Sequence, residues 1–459
     1  MTEILSGQDL IDAGLRQGKW FGEALAAANV VLEQGGTQAE AFAVALSFQP
    51  APSVPLHAPG TVPFFANIEA DNADELANVA AVTSSMNALM RTPVIKAGAI
   101  MPDACPAGPL GTIPVGGVVA SEAIHPGMHS ADICCSMAIS IFPGVKPLDL
   151  LDTVQAATHF GPGGRPRGQQ WKPAPELLAR FDNNRLLKDI ISPAIEHFGT
   201  QGDGNHFAYV GTLKSTGETA LVTHHGSRAP GARLYSKGMK LAEQHRRELS
   251  PETLQQNAWI PADSPDGDIY WEALQLIRAW TKANHLAIHD AAAEALSAKV
   301  ADRFWNEHNF VFRKTDGLFY HGKGATPAFD NWADDATELT LIPLNMAELI
   351  VRGKNAPHGL GFSPHGAGRN FSRTQHKRMQ AGRTDAEIFA AETAGIDARF
   401  FMGTTDISEL PSAYKNAAAV RRQIESFGLA EVVDEVIPFG CIMAGDWEAN
   451  APWRKNRER

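Results

Sequence analysis

Cysteine is scarce in this sequence, with four residues among 459, at positions 105, 134, 135 and 441. Four thiols at irregular spacing are too few for a disulfide framework, so disulfide bonds are not expected to hold the fold together. In a reducing compartment a cysteine more often binds a metal, reacts, or fills space in the core. Two of the four are adjacent in "DICCSM" (132–137), beside an aspartate. This stretch is therefore a candidate metal or nucleophile site.

Long apolar runs are also missing. No run of about 18 apolar residues occurs, so no membrane-spanning helix and no membrane partner are expected. The N-terminal stretch "MTEILSGQDLIDAG" is acidic and lacks the apolar centre of a signal peptide. We therefore expect a cytoplasmic protein.

Basic residues are outnumbered, because 40 Lys and Arg stand against 51 Asp and Glu and give a net charge of −11. This balance argues against a protein that coats nucleic acid without specificity, although it leaves a local basic groove possible. Histidine, by contrast, is plentiful, with 16 residues. Many of these histidines stand in glycine-rich turns, where backbone can approach a ligand closely.

Composition and the spacing of apolar residues divide the chain into three segments. Residues 1–48 have helical apolar spacing and are predicted to be a helical N-terminal extension. Residues 49–60 hold four prolines and are predicted to be a linker. Residues 61–459 mix short β-like runs with helical segments, including one predicted over 271–305, which indicates an α+β domain. The last residues, "WRKNRER", are predicted to be a solvated basic tail rather than an RNA contact.

Five short stretches, three of which contain Gly, carry His, Asp, Cys or Asn, the side chains that commonly bind metals or serve catalysis. Any one of them alone is a weak signal, since a single histidine near a strand end is usually a satisfied polar residue. Together they favour one composed site, but their spacing does not decide its chemistry. The stretches are "SADICCSM" (130–137), "GTQGDGNHF" (199–207), "VTHHGSR" (222–228), "NEHNF" (306–310) and "SPHGAGR" (363–369).

These stretches resemble the motifs of the RtcB family of RNA-splicing ligases. "DICCSM" is similar to the family's D-I-G-C-G-M, "GDGNHF" to G-G-G-N-H-F and "HHGSR" to H-S-G-S-R, and "HN", "KGAT" and "HGAGRNFSR" follow in family order. The resemblance runs from "MPDACPAG" (101–108) to "PFGCIMAG" (438–445), some three quarters of the chain. It implies an α+β fold in which a single catalytic domain arranges β-sheets around a dinuclear metal site, with 1–48 as an added helical element.

The resemblance also implies the ligands of two Mn²⁺ ions. One ion would be held by Asp132 and His206 and the other by His224 and His308, with the Cys135 sulfur bridging the two. Cys134 stands where the family has glycine and is expected to be a small buried thiol. Ligand chemistry alone would favour Zn²⁺, because cysteine and histidine are softer ligands than Mn²⁺ prefers, so Zn²⁺ is expected to be able to occupy the site in purified protein.

For the reaction, the resemblance implies that His365 attacks GTP and becomes a histidine–GMP phosphoramidate. The guanylate would then activate an RNA 3′-phosphate, opened first by water where the end is a 2′,3′-cyclic phosphate, for attack by the 5′-hydroxyl of a second RNA end. The substrates would be tRNA-like or damaged RNA. The residues expected to contact the nucleotide or RNA are Asn205, Gly366, Ala367, Gly368, Arg369, Tyr414, Arg228 and Arg373.

Several positions depart from the family pattern, and they concentrate where the base would be read. Tyr209 stands in place of a base-reading glutamate, "PLNMAE" (343–348) replaces P-G-S-M-G, and the lysine of the closing P-L-G-V-V-K-G is missing from "PFGCIMAG". Cys105 and Gly322 stand where histidine and arginine are usual. Metal ligands and nucleophile are kept, so a ligase with altered nucleotide specificity is an open alternative.

Two other function classes remain open at this point. A two-metal phosphodiesterase or phosphatase acting on RNA ends would keep the metal ligands but would not need His365. A non-enzymatic protein that binds RNA ends would leave bound RNA unchanged. The intact "HGAGR" turn counts against the first, and the intact ligand set counts against the second.

Overall fold

The structure of the protein, a computed structural model, describes residues 4–15, 17–49, 53–333, 337–345 and 347–446. The predicted basic tail, and residues 50–52 of the predicted linker, lie outside these ranges. None of the helices in the described ranges is long and apolar enough to cross a membrane.

The chain forms two compact units, of which the smaller comprises Met1–Pro55 together with Arg246–Glu252. Two of its helices begin at strong capping signals, since Ser6 and Thr37 each form a capping box with the acidic residue three positions on. Small and aliphatic side chains such as Leu10, Ala24 and Ala28 form a core of its own. The helices are α1 (Gly7–Asp12), α2 (Trp20–Glu33) and α3 (Gln38–Ser47).

The larger unit, Leu56–His245 with Thr253–Arg459, mixes helices and sheets, and the predicted α+β class is confirmed. The remaining helices are α4 (Ala73–Leu89), α5 (Pro147–Ala157), α6 (Pro175–Asn183), α7 (Ile191–Glu196), α8 (Arg228–Leu249), α9 (Pro265–Ala295), α10 (Arg373–Met379), α11 (Asp385–Glu392) and α12 (Ala417–Ser426). The strands are β1 (Phe64–Ala66), β2 (Ile95–Cys105), β3 (Val115–Ser121), β4 (Ala123–Ile124), β5 (Ser136–Phe142), β6 (Phe207–Leu213), β7 (Thr219–His225), β8 (Ile260–Pro261), β9 (Asp302–Glu307), β10 (Asn309–Arg313), β11 (Phe319–Lys323), β12 (Ala325–Pro327), β13 (Leu339–Leu344), β14 (Ala347–Gly353), β15 (Phe362–Pro364), β16 (Asp397–Phe400) and β17 (Ala430–Met443).

Two larger sheets dominate this unit. One has the strand order β1-β2-β3-β11-β10, and the other has the order β13-β14-β17-β6-β7-β5-β9 with β16 paired to β17. The pairs of β5 with β7 and β9, and of β6 with β7, are antiparallel. The ends of β7 and β9 therefore meet the beginnings of β5 and β6 at one edge.

Helix α9 supplies much of the main core, because Tyr270, Trp280 and neighbouring apolar residues are fully buried. It begins where the Ser264 side chain accepts a hydrogen bond from the Gly267 N–H. The prediction of helix through residue 305 is wrong. Ser297 adopts a left-handed φ of 49° just after the helix ends, and residues 302–307 pair with β5 as β9 instead.

Buried histidines and hydroxyls connect α9 to the sheet. The ring nitrogens of His285 lie 3.0 Å from Ser136 Oγ and 2.7 Å from Thr223 Oγ1. Those of His289 lie 2.8 Å from Thr223 Oγ1 and 2.8 Å from Ser140 Oγ. The result is a continuous hydrogen-bonded chain along the back of β5 and β7, in which each polar group is paired although no water reaches it.

The burial of neutral histidines predicts that the free energy of unfolding falls as the pH is lowered. Burial lowers the pKa of His125 and His129 to about 4 and of His289 to about 3. In the unfolded chain the pKa of histidine is roughly 6.5, so below that pH the unfolded chain binds protons that the folded chain does not. The contribution of these histidines to stability is therefore fully present above that pH and is lost as the pH falls. We expect a loss of about 1.4 kcal/mol per pH unit for each such histidine.

Urea unfolding followed between pH 7 and pH 5 measures this slope. His289→Gln should reduce the slope by about 1.4 kcal/mol per pH unit, which corresponds to one proton, since it removes one of the titrating rings. A free energy of unfolding that stays flat across this range would contradict the prediction.

Candidate functional site

The edge where β5, β6, β7 and β9 meet carries the candidate metal ligands. Cys135 immediately precedes β5, His206 immediately precedes β6, and His308 immediately follows β9. His224, near the end of β7, is in register with Met137 of β5 and Phe207 of β6. Because the strands are neighbours, side chains from four distant parts of the chain converge without any of them being close in sequence.

The converging side chains form two groups that share a sulfur atom. One group is Asp132, Cys135 and His206, and the other is Cys135, His224 and His308, with the ligand atoms of each lying within 4.8 Å of one another. Cys135 Sγ lies 3.6 Å from His206 Nε2 and 3.3 Å from His224 Nε2. These are the two groups that the sequence assigned to two ions, and either could hold a metal ion.

The protonation states fit metal binding. Burial lowers the pKa of His224 to about 3 and that of His308 well below its ordinary value, so both imidazoles are neutral, as ligands must be. His224 Nδ1 donates to the Asn205 carbonyl at 3.0 Å, which leaves the lone pair on Nε2. Nε2 of His224 then faces Nε2 of His308 at 3.2 Å.

Asp132 and Cys135, the two acidic groups of the cluster, also fit metal binding. Burial alone would raise the pKa of Asp132, but His206, Cys135 and Arg228 around it lower the pKa to about 2. Burial and then Asp132 raise the pKa of the Cys135 thiol. A cation in this position would reverse that shift, because coordinated thiols are deprotonated. The donor set of one carboxylate, one thiol and three imidazoles therefore suits a pair of divalent ions.

His365 lies beside this cluster, with its ring centroid 5.0 Å from that of His308. Backbone hydrogen bonds connect the two: Ala325 N donates to His308 O, and Ala325 pairs with Pro364 across β12 and β15. The buried carboxylate of Asp103 lies 2.6 Å from His365 Nδ1. Nδ1 is thereby committed as a donor, and Nε2 keeps the lone pair that a nucleophile needs.

Two cavities meet at the cluster, and Asn205 lines both. The first has a volume of about 340 Å³ and is lined largely by apolar atoms, together with His365, the 366–369 turn and Tyr414. The second, of about 1070 Å³, contains Asp132, His206, Arg228 and Arg373. All the nucleotide and RNA residues predicted from sequence thus lie at one cavity or the other.

Several of these side chains already have partners. Arg369 donates to Glu409 and to the Tyr414 hydroxyl, and Tyr414 donates to Glu409. Arg373 forms an ion pair with the same Glu409, and Arg228 donates to the Gly161 carbonyl at 2.7 Å. Glu409 therefore organises both arginines and the tyrosine, a role that its isolated position in the sequence did not reveal.

Comparison of the sequence with known proteins assigns the chain to a family. The model for the family described as "tRNA-splicing ligase RtcB" matches residues 173–444, which is more than half of the chain. The chain belongs to the RtcB family. The tRNA-splicing ligase RtcB of Aeropyrum pernix is 25% identical, with 71% of this chain and 84% of that protein aligned. The corresponding protein of Thermococcus kodakarensis is 25% identical, covering 77% and 89% of the two chains. The RNA-splicing ligase RtcB of Escherichia coli K12 is 26% identical, covering 82% and 94%.

Besides Glu409, the sequence did not identify two other acids at the site of this RtcB chain, Asp103 and Glu348. Both are buried acids within strands, Asp103 in β2 and Glu348 in β14. A charged residue inside an apolar run was the available signal, since such groups are rarely buried without a purpose. The prediction that Cys134 is a buried thiol is confirmed, and its φ of 59° accounts for the family glycine at that position.

The geometry predicts that two divalent ions bind and that Cys135 serves both. We propose that the wild-type chain binds two Mn²⁺, that Cys135→Ala loses both, and that His308→Ala loses one, because Cys135 alone belongs to both ligand groups. Equilibrium dialysis followed by metal analysis, with Mn²⁺ and Zn²⁺ in separate and mixed samples, measures the stoichiometry. The mixed sample reports which metal is retained.

The neighbouring thiol is the matched control for this experiment. Cys134 is buried but belongs to neither group, so Cys134→Ala should still bind two ions. Full binding by Cys135→Ala would contradict the assignment.

Proposed function

We propose that this protein is an RNA ligase that joins RNA 3′-phosphate or 2′,3′-cyclic phosphate ends to 5′-hydroxyl ends. His365 carries the nucleotide covalently, and two Mn²⁺ ions are the cofactors, with GTP as the nucleotide that the family resemblance implies. One observation carries the proposal: the His365 ring, held by Asp103, lies 5.0 Å from the ring of the candidate metal ligand His308.

The first step uses the lone pair on His365 Nε2. Its Nε2 attacks the α-phosphorus of the triphosphate, an N–P bond forms, and the P–O bond to pyrophosphate breaks. The ring gains positive charge as the bond forms, and the buried Asp103 carboxylate, 2.6 Å from Nδ1, offsets it. No proton has to leave Nε2, because its lone pair is free from the start.

The later steps break this N–P bond. An oxygen of the RNA 3′-phosphate attacks the phosphorus on His365, the N–P bond breaks, and the lone pair returns to Nε2. The 5′-hydroxyl of the second RNA end then attacks the activated 3′-phosphate, releases its proton to solvent, and displaces the nucleoside monophosphate. The two cations, when bound, would neutralise phosphate charge and stabilise the attacking and leaving oxygens.

The second cavity is the surface that we propose for the RNA ends, whether tRNA-like or damaged RNA. It contains Asp132 and His206 from the metal cluster, and its lining alternates the cations Arg228, Arg373, Lys377 and Arg378 with the acids Asp203, Asp406 and Asp446. Guanidinium groups suit phosphate oxygens because they donate in pairs. The whole chain has a net charge of −11, so the proposal depends on these individual cations and not on the overall charge.

A second candidate, the same ligase with altered nucleotide specificity, is favoured by the first cavity. Tyr209 lines the cavity, but its hydroxyl donates to the Val436 carbonyl at 2.8 Å and so is committed to the sheet. Met443, also in the lining, contributes no charge. Both stand in the stretches where the resemblance implies a base-reading glutamate and lysine.

Replacing His365 tests the proposal. Incubation with Mn²⁺ and α-³²P-labelled nucleoside triphosphates, followed by denaturing electrophoresis, should show a covalent label on the wild-type chain. His365→Gln should abolish both the label and ligation, because an amide cannot form the N–P bond. His358→Gln is the matched control, since His358 bonds to the Phe427 carbonyl and does not line the cavity.

The outcomes separate the function classes. Hydrolysis of RNA ends that survives in His365→Gln, with no label in wild type, would identify a phosphodiesterase or phosphatase. RNA that is bound but never converted would identify an end-binding protein. Either result would overturn the ligase proposal.

Asp103 is predicted to act as a positioning residue through His365. Asp103→Asn removes the negative charge and allows the amide N–H₂ to face Nδ1, so we expect labelling to slow by about 10² to 10⁴-fold. The concentration of nucleotide for half-maximal rate should change little, because Asp103 does not line either cavity. Asp316→Asn, whose carboxylate bonds Tyr320 away from the site, should label at the wild-type rate. An equal loss in nucleotide affinity would indicate a merely structural role.

A further inference from the structure

A third cavity, which the proposed reaction does not use, lies against the loop between α5 and α6. It has a volume of about 490 Å³ and is lined by Gly164, Arg165, Arg167, Gln170, Ser192 and Glu196. Ser192 and Glu196 belong to α7, and the Ser192 hydroxyl donates to the Glu196 carboxylate at 2.7 Å. Two positive charges in the lining therefore stand against one negative charge.

The Arg165 side chain is held in place before any ligand arrives. Its guanidinium lies over the Trp171 ring, 3.8 Å from the ring centroid, and Nη2 donates to the carbonyls of Ala157 and Gly199. The Arg165 backbone N–H donates to the Glu196 carbonyl at 2.8 Å. The side chain has therefore already lost the conformational freedom that binding a ligand would otherwise cost.

The charge of Arg165 has no acidic partner. Its side-chain hydrogen bonds all go to carbonyl oxygens, and among the described residues no ion pair reaches it. The Nη1 atom has no partner in this part of the chain and is not one of the buried polar atoms, so it is open to a ligand. Burial lowers the pKa of Arg165 to about 10, which leaves it charged at neutral pH. A bound anion would offset the cost of burying this charge.

Arg167, two residues further along the loop, adds a second cation. Its side chain is exposed, and no acid in the described ranges forms an ion pair with it. Two guanidinium groups at one cavity suit an anion with several oxygens, because each group presents its donors in a fixed fork. A phosphate diester is an anion of this kind.

The third cavity continues the path of the second. Pro162 lines the second cavity and Gly164 lines the third, and Cα atoms two residues apart lie within about 7 Å of each other. Arg228 of the second cavity donates to the Gly161 carbonyl at 2.7 Å, which fixes the start of this connecting segment. A side chain on Gly164 would begin 2.4 Å from the Glu196 carbonyl oxygen, so the loop packs directly on α7.

An RNA strand whose 3′-phosphate occupies the second cavity carries further phosphates along its backbone, and these must pass over a neighbouring surface. We propose that the third cavity binds one of these backbone phosphates through Arg165 and Arg167. The two arginines would hold the strand whatever its sequence, because phosphate contacts position a strand without reading its bases. This inference rests on the proposed function, since it takes the second cavity as the site of the RNA end.

Binding of two RNA ligands that differ in length tests the inference. A nucleoside 3′-monophosphate has no phosphate beyond the reacting one, whereas a decanucleotide with the same end carries a row of them. Affinities are measured with the full-length chain in Mn²⁺ and without nucleoside triphosphate, so that no RNA is joined. We expect Arg165→Gln and Arg167→Gln each to weaken decanucleotide binding at least about threefold and to change monophosphate binding by less than about twofold. The slope of log affinity against log salt for the decanucleotide should fall by about 0.7 for each arginine removed.

Arg167→Gln is the cleaner of the two variants, because Arg167 is exposed whereas Arg165 also packs on Trp171. Arg352→Gln is the matched control. Arg352 is an exposed residue of β14 that lines none of the three cavities, so this variant should bind both ligands as the wild type does.

Equal losses for the two ligands, or no loss for either in Arg167→Gln, would overturn the inference. Thermal stabilisation by inorganic pyrophosphate that Arg167→Gln removes, with no dependence of binding on RNA length, would assign the cavity to a free phosphate compound and would also overturn it. Labelling of His365 on the wild-type chain reports the proposed function separately. A wild type that binds the decanucleotide through both arginines but takes no label would overturn the ligase proposal and support the inference.

Discussion

The antiparallel register of β6, β7, β5 and β9 is the constraint on which the site depends. The register brings two strand beginnings and two strand ends to one edge, so that Cys135, His206, His224 and His308 meet there. A slip of one residue would turn every side chain of a strand to the opposite face. The adjacent histidines of β7 show this alternation: His224 joins the cluster, whereas His225 stacks on His285 of α9 at 3.4 Å.

The cluster also separates two chemical environments. On one side lies the apolar cavity that contains His365, and on the other lies the polar cavity that contains Arg228 and Arg373. Asn205 belongs to both, and its carbonyl fixes the tautomer of His224 between them. In the proposed reaction the nucleotide on His365 would therefore bind in the apolar cavity. The RNA end that attacks its phosphorus would bind in the polar cavity.

The five metal-ligand candidates and His365 could be named from the sequence because they stand in short motifs that resemble those of the family. The alternation of short β-like runs with helical segments predicted the α+β class, which was correct. Asp103 could not be assigned in this way, since its role arises only from a contact with a distant part of the chain. Asp103 stands 262 positions from the histidine that it holds. The helix predicted over 271–305 ended early for the same reason, because pairing with β5 outweighed local helical spacing.

The chain of hydroxyls and imidazoles behind β5 and β7 carries one further consequence. Each neutral ring in it has a single hydrogen, and so does each hydroxyl, so the direction of every link from Ser140 through His289, Thr223 and His285 to Ser136 is set by its neighbours. The His225 carbonyl, which can only accept, lies 3.2 Å from His285 Nε2, so this nitrogen carries the hydrogen of the neutral ring and Thr223 donates to His285 Nδ1. Ser136 directly follows the bridging thiol Cys135. One backbone carbonyl thus sets the direction of hydrogen donation along the whole row behind the cluster, from Ser140 towards Ser136.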